Sequence, residues 1–407
     1  MGTPLSRLKE SEQQTSVAGS QLQVSLMGYQ RNDGSVGVRN HVLVLPTVQC
    51  ANGVVERIGR SFPEVVAIPH IYGCSQVGPD LDQTRRILEA FAGHPNVGAT
   101  LLIGLGCETL PAEAMADRLS SQGKLVKALV IQREGGCRKT FEKGVRIAQE
   151  LVRETGAQKR EAIPISKLII GLECGGSDAW SGITANPAVG VASDVVVALG
   201  GTVVLSEVTE FIGAEHLLAA RAVSDEVGDE ILGVSRSRLD SVREQGLDLY
   251  GAQPTPGNIT GGLTTIEEKS LGAVAKAGSS PIREVLKYGQ SPTQKGLVIM
   301  DTAGNDPESV TGMVAGGAQL VVFTTGCGSP TGSPIAPTIK VASNSPMYSD
   351  LRDGMDINAG SILEGVQLEE IGGRIFDKII EVANGEATTA EKWGHHEFSI
   401  ESLGQRV

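Results

Sequence analysis

The sequence predicts an α/β protein built of two Rossmann-like domains with mainly parallel sheets. Three observations lead there. Short, continuous apolar runs recur along the chain, the form taken by strands that are covered on both faces. Helical stretches alternate with them, as parallel strands require a crossover between neighbours. The composition holds 52 glycines but only 3% aromatic residues, which suits strand-to-helix turns whose backbone comes close to a ligand. With 407 residues and roughly 150 residues per domain, two or three domains are expected.

Taken in order, residues 1–25 are polar without an apolar period and read as a disordered tail. Ordered structure should begin near Leu26. In a first domain, 26–157, strands are predicted at 41–46, 65–69, 100–105 and 125–131. Helices are predicted at 52–58, 81–92 and 111–121. The polar stretch 153–160 marks the boundary. In a second domain, 158–407, apolar strand-like runs stand at 168–172, 195–198, 202–205, 296–300 and 320–324. Two small polar loops, 173–178 and 301–306, each follow a strand and lead into a helix.

Several function classes fall away. The balance of 35 basic and 47 acidic residues gives a net charge of −12, which argues against a uniformly basic nucleic-acid surface. No apolar run reaches the ~18 residues needed to span a bilayer, and no N-terminal hydrophobic region marks secretion. Six cysteines without such a signal point to a reducing compartment, the cytoplasm, and to chemistry or metal binding more than to disulfides.

Cys50, Cys74, Cys107 and Cys174 each follow a strand-like run. In an open parallel sheet the carboxyl ends of the strands share one edge, where ligands bind. The four thiols are therefore candidate ligands for a soft metal or an iron–sulfur cluster; small cysteines filling tight turns give the same pattern. Arg31, Arg39 and Asn40 lie in a glycine-punctuated turn before a strand. Arginine offers a planar fork for a carboxylate, although solvated charges in a turn explain the segment equally well. In the loop 174–187, paired glycines before a helix free N–H groups to face an anion, and Ser177, Asp178 and Asn186 are candidates for holding substrate hydroxyls. Thr324 and Thr325 stand in another hydroxyl- and glycine-dense loop. Glu207 and Glu210 follow a strand and could act as general base, Glu207 being the first choice. Lys269 follows a predicted cap at Thr265 and could bind an anion. No G-x-G-x-x-G follows the first strand, which disfavours a dinucleotide dehydrogenase, and no G-x-x-x-x-G-K-[ST] is present.

These loops together resemble the altronate/galactarate dehydratase family. The pieces that carry the resemblance include GYQRNDGSVGVRN (28–40), LPTVQCAN (45–52), GLECGGSDAWSGITANPAVG (171–190), LGGTVVLSEVTEFIGAEHLL (199–218) and the run 301–348. The resemblance implies a hydro-lyase that removes water from an altronate-like sugar acid to give a 2-keto-3-deoxy acid. It also implies iron, as Fe2+ or an iron–sulfur cluster, with Mn2+ as an option. The family's cysteine-bearing loops fall on Cys50, Cys74, Cys107 and Cys174, and its acidic pair on Glu207 and Glu210. Many members carry a small N-terminal domain of the SAF type, for which only about 25 unpatterned residues stand before Gly28. The chain is thus expected to be a large subunit that works with a small SAF-domain partner in an oligomer. A (2R)-sulfolactate sulfo-lyase large subunit and a non-catalytic sugar-acid-binding subunit are the two alternatives.

Overall fold

The computed structural model describes residues 24–403. The expected tail lies outside them, save Val24 and Ser25. Fourteen strands among the described residues form three sheets. A four-stranded sheet has the order β4-β3-β5-β6, from β3 (His41–Pro46), β4 (Val65–Ala67), β5 (Val97–Gly104) and β6 (Val126–Val130). A seven-stranded sheet has the order β10-β11-β9-β8-β12-β13-β14. Its strands are β8 (Ile169–Cys174), β9 (Thr202–Leu205), β10 (Ile282–Leu286), β11 (Gly296–Met300), β12 (Leu320–Thr325), β13 (Thr338–Ala342) and β14 (Ile357–Asn358). Every pairing within these two sheets is parallel. The strands of the larger one are largely apolar because helices and the smaller sheet's elements cover both faces.

One expected run is corrected. Residues 195–198 do not form a strand; they close the helix Ala185–Ala198. Val195 and Val196 continue the buried stripe of Ala188, Val189 and Ala192, and burial of that stripe overrides the strand preference of three successive valines. A small antiparallel sheet of β2 (Val36–Gly37), β1 (Ser25–Gln30) and β7 (Glu161–Pro164) was not anticipated. Helix Cys137–Gly156 takes up the first half of the polar stretch 153–160.

The two parallel sheets share a core. One apolar cluster joins Leu43, Leu45 and Leu102 of the smaller sheet and Phe91 of the helix Gly78–Ala92 to Val298, Met300, Val321 and Phe323 of the larger one. The opposite face of the larger sheet packs against helices Ala185–Ala198 and Leu368–Ala383. Chain order reverses at β8: the chain proceeds to β9 on one side and later to β12 on the other. The loops after β8 and β12 therefore flank a switch-point crevice, the standard ligand position in such sheets.

Polar rivets lock the amino-terminal segment onto this body. Arg39 donates from Nε and Nη2 to both carboxylate oxygens of Glu391 (2.7 and 2.8 Å), and its remaining donors reach the carbonyls of Val38, Val382 and Glu386. Arg31 donates to the carbonyls of Pro95 and Arg39 and to Asn40 Oδ1, while Asn40 Nδ2 donates to the Thr155 carbonyl. These three residues, read from sequence as substrate ligands, have their donors occupied by the fold. Replacing a partly buried charged partner leaves the other unpaired. R39M should therefore lower the unfolding free energy by about 3 kcal/mol in urea titrations and leave any substrate KM unchanged.

Candidate active site

Three carboxylates converge from three strand ends of the larger sheet. Glu173 is the penultimate residue of β8, Glu207 follows β9, and Asp306 opens the helix Asp306–Ala315 after β11. Ligand oxygens of the three lie within 4.8 Å of one another. Glu173 is completely buried and accepts from Ser309 Oγ at 2.6 Å. The Glu207 backbone sits in the left-handed region (φ 59°), a costly conformation for a non-glycine residue that aims its side chain into the cluster. Its N–H is held by Thr302 Oγ1 (2.8 Å), yet its buried Oε1 has no hydrogen-bond partner. Asp306 accepts from Ser329 Oγ at 3.2 Å. Gly175 makes room for it: a Cβ there would lie 2.1 Å from Asp306 Oδ2 and 2.5 Å from Phe323 Cζ.

Dry surroundings and mutual repulsion act in the same direction. Burial, followed by the charges of Asp306 and Glu210, pushes Glu173 up to about 8. Burial and the charges of Glu173, Glu210 and Asp306 raise Glu207 well above the carboxylate range. Asp306 is raised by burial and by Glu210. Beside them runs a buried ion pair between Lys276 Nζ and Glu210 Oε2. Burial opposes the charge on Lys276, but Glu210 holds it protonated. Lys269 Nζ stands 4.0 Å from Glu210 Oε1 and also donates to Gln253 Oε1 (3.2 Å). Lys340, in β13, is fully buried; burial brings it down to about 7 against the pull of Asp306, Glu397, Glu173 and Asp356.

A pocket of about 260 Å³ is linked to this corner through Lys269. Ser177, Asp178, Asn186 and Lys269 line it, together with Ser181 and Gly272 among others. Four of the residues singled out in the sequence therefore do share one cavity. Their hydrogen bonds also brace its walls. Asp178 accepts from Ser181, Ser343 and Asn344. Asn186 donates to the Gly272 carbonyl and accepts from Thr324 Oγ1 (2.7 Å). Ser177 Oγ lies 2.8 Å from Cys174 Sγ. Thr325 Oγ1 accepts from the N–H groups of Gly328 and Ser329, shaping the loop above. The predicted Thr265 cap is present, accepting from the Glu268 N–H.

The thiols are arranged otherwise than expected. Cys50, Cys74 and Cys107 are exposed on loops after β3, β4 and β5 of the smaller sheet. Those loops are tied together, Gln49 N–H donating to the Tyr72 carbonyl and Thr47 N–H to that of Ile103. Cys174 is buried at the end of β8 in the other sheet, where burial and then Glu210 push its thiol up to about 11. Among the described residues, no three of these sulfurs approach within 4.8 Å, and the group of ligand atoms that does is the carboxylate triad. The four thiols are thus not gathered around a lone ion, because they belong to two different sheets. Glu173, Asp306 and Lys340 were missed as site residues. For Glu173 and Lys340 the available signal was a charged residue inside an otherwise apolar strand run, which is rare without a partner.

Hard oxygen donors, an unpartnered buried carboxylate oxygen and three carboxyls forced up together make a site short of positive charge. This fits a divalent cation and is not the donor set of an iron–sulfur cluster. In chelator-treated protein, native Glu173 retains a proton that the unfolded chain gives up above its ordinary carboxylate pKa. Stability should therefore fall as pH rises from about 5 to about 8. Urea unfolding at both ends of that window should show the fall, and E173Q should flatten it.

No helix among the described residues is long and apolar enough to cross a membrane. Residues 165–406 match the family described as D-galactarate/Altronate dehydratase, C-terminal, and residues 28–156 that described as D-galactarate dehydratase/Altronate hydrolase, second domain. The altronate dehydratase of Bacillus subtilis is 40% identical over 93% of this chain and 77% of its own length. The galactarate dehydratase (L-threo-forming) of Escherichia coli is 38% identical over 91% and 75%. The (2R)-sulfolactate sulfo-lyase subunit beta of Chromohalobacter salexigens is 36% identical over 93% and 97%. The chain belongs to the D-galactarate/altronate dehydratase family and is a lyase of that type.

Proposed function

We propose that this chain is the large subunit of a cytoplasmic, metal-dependent hydro-lyase that dehydrates an altronate-like sugar acid to a 2-keto-3-deoxy acid, with a small SAF-domain subunit as partner. The observation that carries this reading is the carboxylate triad of Glu173, Glu207 and Asp306, with a polar pocket whose lining Lys269 stands 4.0 Å from the neighbouring Glu210. Glu173 and Asp306, with Glu207 at their side, are the groups that would hold a divalent cation. When bound, such an ion supplies a Lewis acid for negative charge on substrate oxygens.

Lys269, the cation among the pocket's lining residues, receives the substrate carboxylate. Glu210 orients it from 4.0 Å and is itself fixed by Lys276. Glu207 Oε1, buried and unpartnered, takes the proton from C2. A carboxyl raised above its ordinary range by burial and by neighbouring acids suits that task. The bond from C3 to its hydroxyl then breaks, the proton held on Glu207 leaves with the hydroxyl as water, and the resulting enol tautomerises to the ketone.

A two-subunit arrangement is supported by the match to almost the whole of a protein named as a subunit beta. The same match favours sulfolactate as the second reading, with sulfite leaving in place of water. Both are tested by supplying hexonates, hexarates and sulfolactate to the chain with a purified small partner, under anaerobic conditions with Fe2+ or Mn2+. Keto-acid formation from a hexonate or hexarate is the expected result. Sulfite release would favour the second reading. Binding without turnover, partner present, would make this a sugar-acid-binding subunit. E207Q should abolish turnover and solvent-deuterium exchange at C2 while metal binding persists, whereas D306N should lose metal affinity at least tenfold.

A further inference from the structure

Lys340 occupies a place where a buried parallel strand ordinarily carries an aliphatic residue. It is 0% exposed in β13, between β12 and β14. Its Nζ has no hydrogen-bond partner and lies 3.3 Å from the centroid of the Phe323 ring. A lone ammonium in such a place is costly, and the aromatic face recovers only part of that cost. No hydrogen bond from Nζ fastens anything, so local structure does not account for the charge.

The register shows what it faces. Lys340 pairs with Phe323, and Phe323 pairs with Glu173. Residues opposite one another in parallel strands project to the same face, so the three side chains form one row. The far edge of the Phe323 ring and Asp306 Oδ2 crowd the same point beside Gly175, at 2.5 and 2.1 Å from a Cβ placed there. The ring therefore stands between the ammonium and the triad and excludes water from the gap. Asp306, Glu397, Glu173 and Asp356 all act on Lys340 electrostatically. Three ionised carboxylates carry three negative charges. A divalent cation balances two, and one positive charge behind the ring balances the third.

We propose that Lys340 is a positioning residue for the cation: its charge compensates the third carboxylate and matches the pocket to a divalent instead of a trivalent ion. This rests on the reading that the triad holds a metal. The dependence on ion charge follows from Coulomb's law. Removing one positive charge favours every cation, and it favours a trivalent one more than a divalent one by one further unit of charge in the same potential.

The test compares Mn2+ and Tb3+ binding to the full chain at pH 6.5, by calorimetry and terbium luminescence. K340M, an uncharged side chain of similar length in an apolar strand, should raise the ratio of Tb3+ to Mn2+ affinity by roughly tenfold. K340R should keep the wild-type ratio, and K340Q should repeat the K340M shift should the methionine variant fold poorly. A purely structural role for Lys340 would change the melting temperature and leave the ratio alone. An unchanged ratio in folded K340M or K340Q, with both ions still bound, overturns the proposal. Mn2+ binding that is absent in the wild type, or survives undiminished in D306N, instead removes the triad reading on which the proposal stands.

Discussion

Three carboxylates forced into one dry corner are the constraint around which this site is organised. Like charges within 4.8 Å repel strongly where water cannot screen them. The fold nevertheless brings them there from three separate strand ends, and it commits a left-handed glutamate and a glycine without clearance to doing so. Such an arrangement is unfavourable for a fold alone. Without a cation it keeps protons that an exposed carboxyl would have lost, so it stores affinity for positive charge. The neighbouring Glu210 is paired at contact with the buried ammonium of Lys276.

The larger sheet divides the work between its faces. Glu173, Phe323 and Lys340 project toward the face that packs on the smaller sheet. One residue further along, Cys174 and Thr324 project to the face of helix Ala185–Ala198, where Asn186 meets both. Because side chains alternate along a strand, a single strand end feeds two environments: acids and a hidden cation on one face, hydroxyl and amide groups shaping the pocket on the other. Loops crossing the sheet edge at Ser329 and Gly175 join them. The amino-terminal arginines, though rich in donors, spend them on the fold. Arg39 fastens the first strands to the carboxyl-terminal segment through Glu391 and the Val382 carbonyl, while Arg31 is held by the carbonyls of Pro95 and Arg39 and by Asn40.

The strand–helix alternation was legible because parallel strands buried on both faces leave continuous apolar runs, and β3, β5, β6, β8, β9, β11 and β12 all do so. The edge strands β10 and β14 and the two-residue β2 left too little pattern to see, and three valines in a row disguised the end of a helix. Of the site, the pocket wall at Ser177, Asp178, Asn186 and Lys269 was visible through its glycine-rich approach. The acid cluster was not, because its members are 34 to 133 residues apart in sequence and only the strand order makes them neighbours. The cysteines show the same limit. Each stands at or after a strand end, but Cys174 belongs to a different sheet from the other three, and position after a strand does not say which edge is shared.

This division bears on how one family includes relatives named for the loss of different groups. Removal of a proton from the carbon beside a carboxylate poses the same charge problem whatever departs from the next carbon. The carboxylate cluster, its proposed cation and Lys340 address that common step, and all are held within the sheet, where a change in one shifts the others. On the proposed reading the group that leaves would meet the pocket wall, which is built on the loop 177–184 and Leu263, with Asn186 and residues 268–272 contributed by helices. Loops tolerate substitution better than packed strands do. Divergence of leaving group is therefore expected to be written in the wall and not in the acids. By the same logic, Lys340 should vary with the charge of the cation and be indifferent to the identity of the substrate.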